Sequence, residues 1–550
     1  MAPAAPLARR IDALARARGD ALAVAGGEAR MTWASYARRA DRLAQALLGL
    51  GLARGERVAV WLPDGPGVHA AYLGCEKAGL VVVGVGPRAG ERELRHLLDA
   101  SGARALVSRA SHRGVAPAAL AAEARAAGGP LAHHVLVEGE LEEDAPIRVD
   151  GRAVDASGAP PPARALAADE VFLLNSTSGT TGLPKCVAHD QARWLAFHDY
   201  AVEAGALTPG DVFLSALPTP FGFGLWTAHF TPALLGAPVV VMPRFDAAEA
   251  LREIERHRVT VLAAVTTQFL LVLASPALGE VDLSSLRVLF TGGEAVPPER
   301  AARFEEATGA RVLQFYGSNE TGALSRTTLA DPPDVRLRTA GRVIPAMNVR
   351  LFDDDGRDVT ASGRGQPGCR GPLASRGYWN DPEANRALYT DDGWMRTGDV
   401  VELDADGVLR VVGRKADFVI RGGKNVSAAQ VEAEVATHPA VALAAAVAMP
   451  DPIFGERVCV YVELRPGQGI TLEALCAHLA ARGVGRELHP ERLVVVPALP
   501  RASGGKIAKA ALREDVRRRL ADEAAAPAPR AAEPAGEGPA AGPPSSPKTS

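Results

Sequence analysis

A chain of 550 residues is long enough for two or more domains with full hydrophobic cores. Its 47% hydrophobic and 23% charged residues are those of an ordinary globular sequence. The net charge of −3 leaves no electrostatic footprint for nucleic acid, and no apolar run approaches the roughly 18 residues a membrane span needs.

The start, MAPAAPLARRIDALARARGD, carries Ala and Arg but no apolar signal-peptide core. Its Arg and Ala also fit a transit peptide, but it reads better as a solvated amphipathic first helix. Residues 31–105 then alternate helix-like and strand-like patterns. TWASYARRADRLAQALLGLGL has apolar residues at helical spacing, RVAVWLP is a short strand, VHAAYLGCEKAGL a helix and VVVGVGP a strand. VFLLN (171–175), PVVVMP, VTVLAAV and Leu286–Phe290 continue the alternation, while 151–168 is loop-like. Such alternation predicts an α/β fold with largely parallel sheets. VVVGVGPRA (81–89) fits GxGxxA, but Pro87 stands where a phosphate loop should enter a helix, so it reads as a strand end and turn.

After Gly413 the text changes to a smaller set of strands and helices. The expected division is 1–413 as a large N-terminal domain, 414–417 as a hinge, 418–520 as a small mobile α+β domain, and 521–550 as a disordered Pro/Ala-rich tail. The five cysteines (Cys75, Cys186, Cys369, Cys459, Cys476) show no CxxC spacing. This suits a reducing, cytoplasmic setting and argues against a disulfide framework or structural zinc.

The stretch NSTSGTTGLPK (175–185) follows directly on an apolar strand. Its glycines allow backbone N–H groups to approach a polyphosphate, its hydroxyls donate to phosphate oxygens, and Lys185 adds positive charge. It is not a Walker loop, because Pro184 precedes Lys185. The loop resembles the phosphate-binding signature of the adenylate-forming superfamily. Further signatures follow in that family's order: GGEAVP (292–297), FYGSNETG (315–322), RGYWNDPEAN (376–385), GWMRTGDVVELDADG (393–407), GRKADFVIRGGKNVS (413–427) and PRASGGKI (500–507). The resemblance covers about residues 20–515.

What the resemblance implies is specific. Thr177, Ser178, Gly179, Thr180, Thr181 and Gly182 would cradle ATP phosphates with Lys185. Gly293, Glu294, Ala295, Phe315, Tyr316, Gly317 and Asn319 would line the nucleotide, with Tyr316 stacked on adenine. Glu320 would hold Mg2+, and Asp399 with Arg414 would take the ribose. Lys506 would bridge the attacking carboxylate and the α-phosphate. Ala416 would be the hinge, with Gly422 and Gly423 passing the pantetheine arm of coenzyme A. Two positions depart from the family pattern: Asn319 stands where Thr is usual, and Ala416 where Asp or Lys is usual.

The stretch LPTPFGFGLWTAHF (217–230) falls where this family places acyl-pocket residues. Phe221, Phe223 and Trp226 supply aromatic walls and Gly222 and Gly224 leave room, as in benzoate- or cyclohexanecarboxylate-type acid–CoA ligases. The second wall is expected from VTTQFLL (265–271) and Gly292–Gly293. No Asp lies between Leu217 and Phe230 to bind a substrate ammonium. His189 and His229 read as structural. The expected activity is an AMP-forming acid–CoA ligase acting on an aryl, alicyclic or medium acyl carboxylate. The rival readings are transfer to a separate acyl carrier protein and a non-catalytic nucleotide-binding homologue.

Overall fold

The computed structural model describes residues 5–176, 184–293, 296–414, 417–421, 424–502 and 506–525. Two large sheets form the centre of the N-terminal part. In one, the strands Arg57–Trp61, Val81–Gly84, Ala105–Ser108 and Val171–Ser176 run parallel, and Cys186–Asp190 closes the edge antiparallel. In the other, Phe213–Ser215, Val239–Val241, Val261–Ala263, Val288–Gly292 and Arg311–Ser318 run parallel, with Gly322–Arg326 returning antiparallel. Most of the parallel strands are buried on both faces, which is why they read as continuous Val/Leu/Ala runs.

The expected elements of 31–105 are all present. The helix Trp33–Leu48 is capped by Thr32, whose side chain accepts from the Ser35 N–H. Pro66 opens the helix Pro66–Lys77. VVVGVGP ends as a strand at Gly84, and the next helix starts only at Glu91, so the GxGxxA match is a strand end and turn.

Two expectations need correction. The first helix, Leu7–Arg18, is not solvated all round: Leu7 and Ile11 are fully buried, because one face packs on the core and Asp12 pairs with the buried Lys77 at 2.6 Å. The last helix, Lys509–Ala525, runs past the expected boundary at 520, with Leu512 and Val516 buried in the core.

Towards the C-terminus the sheets become mainly antiparallel. Asn348–Phe352, Arg364–Arg370, Asp399–Leu403 and Leu409–Arg414 form one sheet. Phe418–Arg421, Lys424–Ser427, Val441–Asp451 and Gly455–Leu464 form the sheet of the small C-terminal domain, with Arg492–Val496 added in parallel. One apolar cluster joins Phe269 and Phe304 of the large domain to Leu443, Val447, Tyr461 and Val516 of the small one. That seam places Lys506 over the large domain.

Candidate active site

A cavity of about 530 Å3 opens where the ends of both central sheets meet the small domain. Its lining combines Lys185, Phe221, Phe223, Trp226, Gly292, Gly293, Phe315, Tyr316, Gly317, Asn319, Glu320, Arg414 and Lys506. Segments separated by more than 300 residues of sequence thus converge on one space.

Glycines make this convergence possible. A Cβ on Gly317 would overlap the Gly322 carbonyl, one on Gly292 the Phe315 carbonyl, and one on Gly224 the Pro218 carbonyl. Gly293 has φ +76, in the left-handed region, and a Cβ there would sit 3.0 Å from the Lys506 Nζ. The small-domain lysine therefore comes within touching distance of the GG segment.

One end of the cavity is polar. The Tyr316 hydroxyl donates to Asp399 Oδ2 at 2.7 Å, and Arg414 Nε donates to Asp399 Oδ1 at 3.1 Å. Burial, followed by the charge of Asp399, pushes the Tyr316 hydroxyl well above its ordinary range, so it remains a donor. A carboxylate has about four acceptor positions, so Asp399 retains acceptor capacity beyond these two bonds. Asp399 itself is buried, flanked by Thr397.

Glu320 accepts from the Tyr378 hydroxyl at 2.8 Å through Oε1. The Tyr378 ring also carries Lys185, whose Nζ lies 4.8 Å from the ring centroid. Burial and then Glu320 raise the Tyr378 hydroxyl above its usual value, so it too stays a donor. Among the described residues no group of three or more His, Cys, Asp or Glu forms a metal cage. A single hard carboxylate, Glu320, would suit Mg2+, which keeps waters and takes few protein ligands.

The other end is aromatic. Trp226 lies in the π-helical turn Leu225–Phe230, an irregularity frequent at functional sites. Phe223 stacks on it at 5.5 Å, and Phe197, Phe290 and Phe315 meet it edge-on at 5.2–5.3 Å. Phe221, Leu217 and Val265 complete this wall. Of the expected second wall 265–271, only Val265 reaches the cavity. Gln268 turns inward instead: its Oε1 accepts from the Val265 N–H and its Nε2 donates to the Ala216 carbonyl.

A buried hydrogen-bond relay ties the two ends together. Arg193, on the helix Gln191–Gly205, donates to His189 Nδ1 at 2.6 Å and to the Asn319 carbonyl at 3.0 Å. Arginine is only a donor, so His189 Nδ1 must accept and its Nε2–H must donate to Asn175 Oδ1 (2.8 Å). The Asn175 amide then donates to the Pro220 carbonyl (2.9 Å) and to Asn319 Oδ1 (3.4 Å). Gly222 N–H donates to the same Asn319 oxygen at 3.0 Å. Among the described residues the relay uses only the oxygen of the Asn319 side-chain amide. Burial, and then Arg193, drive His189 far below its ordinary pKa, so it stays neutral. His189 is thus a structural residue, as expected. His229 is another: it is buried against His69 and Tyr36.

Arg193, Trp194, Phe197, Leu373 and Tyr378 line the cavity without having been read as site residues from sequence, although Tyr378 lies inside the RGYWNDPEAN motif. Thr177, Ser178, Gly179, Thr180, Thr181, Gly182, Glu294, Ala295, Ala416, Gly422 and Gly423 lie outside the described residues.

Comparison with known proteins shows the family. A family model described as "AMP-binding enzyme" matches residues 11–379, and one described as "AMP-binding enzyme C-terminal domain" matches residues 430–506. The chain belongs to the AMP-binding enzyme family. It is 35% identical over 515 residues to the 2-hydroxy-7-methoxy-5-methyl-1-naphthoate–CoA ligase of Streptomyces carzinostaticus, covering 91% of each chain. It is 34% identical over 513 residues to the salicyl-AMP ligase / salicyl-S-ArCP synthetase of Mycobacterium tuberculosis, covering 90% of this chain and 88% of that one. The crystal structure of an anthranilate CoA ligase in complex with anthranoyl-AMP superposes with TM-score 0.83 at 24% identity, covering 94% and 98%, and confirms the fold. The chain is an AMP-forming ligase that adenylates a carboxylic acid.

Proposed function

We propose that the acid is a compact aryl carboxylate and that the acceptor is the thiol of coenzyme A. The observation that carries this reading is one cavity that brings Lys506 against Gly293 and joins a polar end, with Glu320, Lys185 and Arg414, to an aromatic end. The acid's ring would lie among Phe221, Phe223, Trp226 and Phe197, where apolar burial contributes about 25 cal/mol per Å2. The two relatives described above act on naphthoate and salicyl groups, which agrees with an aryl substrate.

In the first step a carboxylate oxygen attacks the α-phosphorus of ATP. The new C–O–P bond forms as the α–β P–O bond breaks, and pyrophosphate leaves. Two anions meet, so Lys506 acts as the cation that lowers their repulsion in a water-poor site. The Asn319 amide donates to the α-phosphate, the role its orientation in the relay leaves open. Asp399 accepts from the ribose hydroxyls, and Tyr316 offers its ring face to adenine. Glu320, held by Tyr378, would hold Mg2+, which neutralises phosphate charge when bound. Lys185 and the loop Thr177–Gly182 receive the β- and γ-phosphates.

In the second step the thiol sulfur attacks the acyl carbon, the acyl–O–P bond breaks, and AMP leaves. For this the small domain (418–520, with its helix continuing to Ala525) rotates about residues 414–417 and brings Gly422 and Gly423 to the acyl group. The proposed setting is reducing and cytoplasmic, where the cysteines stay thiols. The experiment is a pyrophosphate-release screen with benzoates, naphthoates, cyclohexanecarboxylates and fatty acids, followed by thioester analysis with CoA or a phosphopantetheinyl carrier. Benzoates or naphthoates with CoA should lead. Release only with long-chain acids, or thioester only on the carrier, overturns the substrate or acceptor assignment.

The carrier reading is the second choice, and it rests on one of the relatives being described as an S-ArCP synthetase.

A further inference from the structure

Outside the active cavity, a second cleft of about 350 Å3 lies between the helix Pro298–Thr308 of the large domain and the small domain. It is lined by Glu299, Arg300, Arg303, Thr437, Pro439 and Arg465. Three guanidiniums face one carboxylate. That carboxylate is committed, since Glu299 Oε1 lies 2.7 Å from an Arg482 guanidinium nitrogen.

Arg300 is buried and spends its donors on backbone: Nε reaches the Ala436 carbonyl at 3.1 Å, and a terminal nitrogen bonds Ala436 and Val441 carbonyls. Those bonds position the guanidinium, and among the described residues the one acid that acts on its charge is Glu299, which is shared with Arg482. Among the described residues, the Arg303 and Arg465 side chains have neither a carboxylate nor a hydrogen-bond partner. Their electrostatic influence on one another is unfavourable. Burial first, then Arg465 and Arg303, bring the Arg300 guanidinium down to about 10, and Arg465 is lowered by burial and Arg303. The cleft thus gathers three arginines around one acid, Glu299, that is already paired with Arg482, an excess of positive charge that suits an oxyanion.

We propose that this cleft binds a diphosphate group, held between Arg303 of the large domain and Arg465 of the small domain, beside the buried Arg300. The planar forks of two arginines on facing walls suit two adjacent phosphoryl groups, one taken by each fork. The ligand bridges two domains, so its binding is linked to the arrangement that sets Lys506 against Gly293. That consequence, that the anion favours the adenylating arrangement over thioester formation, rests on the domain rotation proposed above. The binding itself does not.

The test is calorimetric titration of pyrophosphate into the full chain saturated with AMP, without Mg2+, at constant ionic strength. Wild type should show a site that weakens by about tenfold or more in Arg303→Gln/Arg465→Gln. Thermal midpoints without anion should match, which separates lost binding from lost folding, and Arg465→Gln alone should give an intermediate loss. ADP titrated in the same way distinguishes free pyrophosphate from the diphosphate of a nucleotide, and affinity lost in the double variant for either one supports the site. Equal affinity in wild type and the double variant, or no pyrophosphate binding at low millimolar concentration, overturns the proposal. No acid and no turnover are involved, so failure of the proposed substrate leaves this result standing.

Discussion

Gly222→Ala probes the junction of the acid pocket and the nucleotide motif. A Cβ at Gly222 would lie 2.8 Å from Asn319 Oδ1 and 3.3 Å from Trp194 Cη2. Neither neighbour can retreat freely: Asn319 Oδ1 also takes the Asn175 amide, and Trp194 stacks on Phe230. Overpacking of this kind costs about 1–3 kcal/mol. Loss of the Gly222 N–H bond to Asn319 adds roughly 0.5–1.5 kcal/mol. Together that is about 1.5–4.5 kcal/mol, or a roughly 10- to 1,600-fold fall in kcat/KM for the acid. The assay is acid-dependent ATP–pyrophosphate exchange with acid varied at saturating ATP, and Gly210→Ala as the control. Gly210 is exposed, and its nearest Cβ neighbour is Thr208 Oγ1 at an ordinary 3.6 Å. If Gly222→Ala keeps kcat/KM for the acid within about threefold of wild type, a change below 1 kcal/mol, this loop does not form the acid wall.

Tyr378→Phe removes the hydrogen bond that orients Glu320, and should raise the Mg2+ concentration for half-maximal pyrophosphate release about tenfold, with the thermal midpoint little changed. Asp399→Asn loses a charged acceptor for Arg414 and Tyr316 and should raise KM for ATP about tenfold while leaving KM for the acid nearly unchanged. Asp64, whose Oδ1 accepts from the Thr219 N–H at the start of the acid loop, is pushed up to about 7 by burial. The native state therefore binds more protons than the unfolded state between about pH 4 and 7, and this group's contribution falls as pH rises through that window. Asp64→Asn should flatten that slope in urea unfolding measured from pH 5 to 8. Burial pushes the Cys75, Cys186, Cys369 and Cys459 thiols up to about 12, so a disulfide reagent at neutral pH should label Cys476 first and the other four only on unfolding.

The chemistry-bearing loops were legible because each couples an unusual composition to a strand end. FYGSNETG had to turn sharply, since the Gly317 and Gly322 backbones leave no room for a side chain. The central strands were legible as apolar runs buried on both faces. The boundary of Leu286–Phe290 shifted to Val288–Gly292 because pairing with Arg311–Ser318 extends through Gly292↔Phe315. Arg193 and Phe197 were not legible. They sit on the helix Gln191–Gly205, whose sequence reads as any buried helix, and only the folded chain carries Arg193 against Asn319. The first helix was read as solvated because its Arg residues dominate its text, yet Leu7, Ile11 and Leu14 sit on the face that is buried. Asn319 differed from the usual Thr without an evident reason in sequence. In the folded chain its side-chain oxygen accepts from both the Gly222 N–H and the Asn175 amide.

The central claim is that Lys506, carried by the small domain to Gly293, drives adenylation of a carboxylic acid. ATP–pyrophosphate exchange measured with and without the preferred acid tests it most directly, in wild type and in Lys506→Ala, alongside thioester formation from the chemically prepared acyl-adenylate and CoA. The account predicts acid-dependent exchange that falls by about 100-fold or more in Lys506→Ala, while the prepared adenylate still yields thioester. Full exchange in Lys506→Ala, with only thioester formation lost, would contradict it.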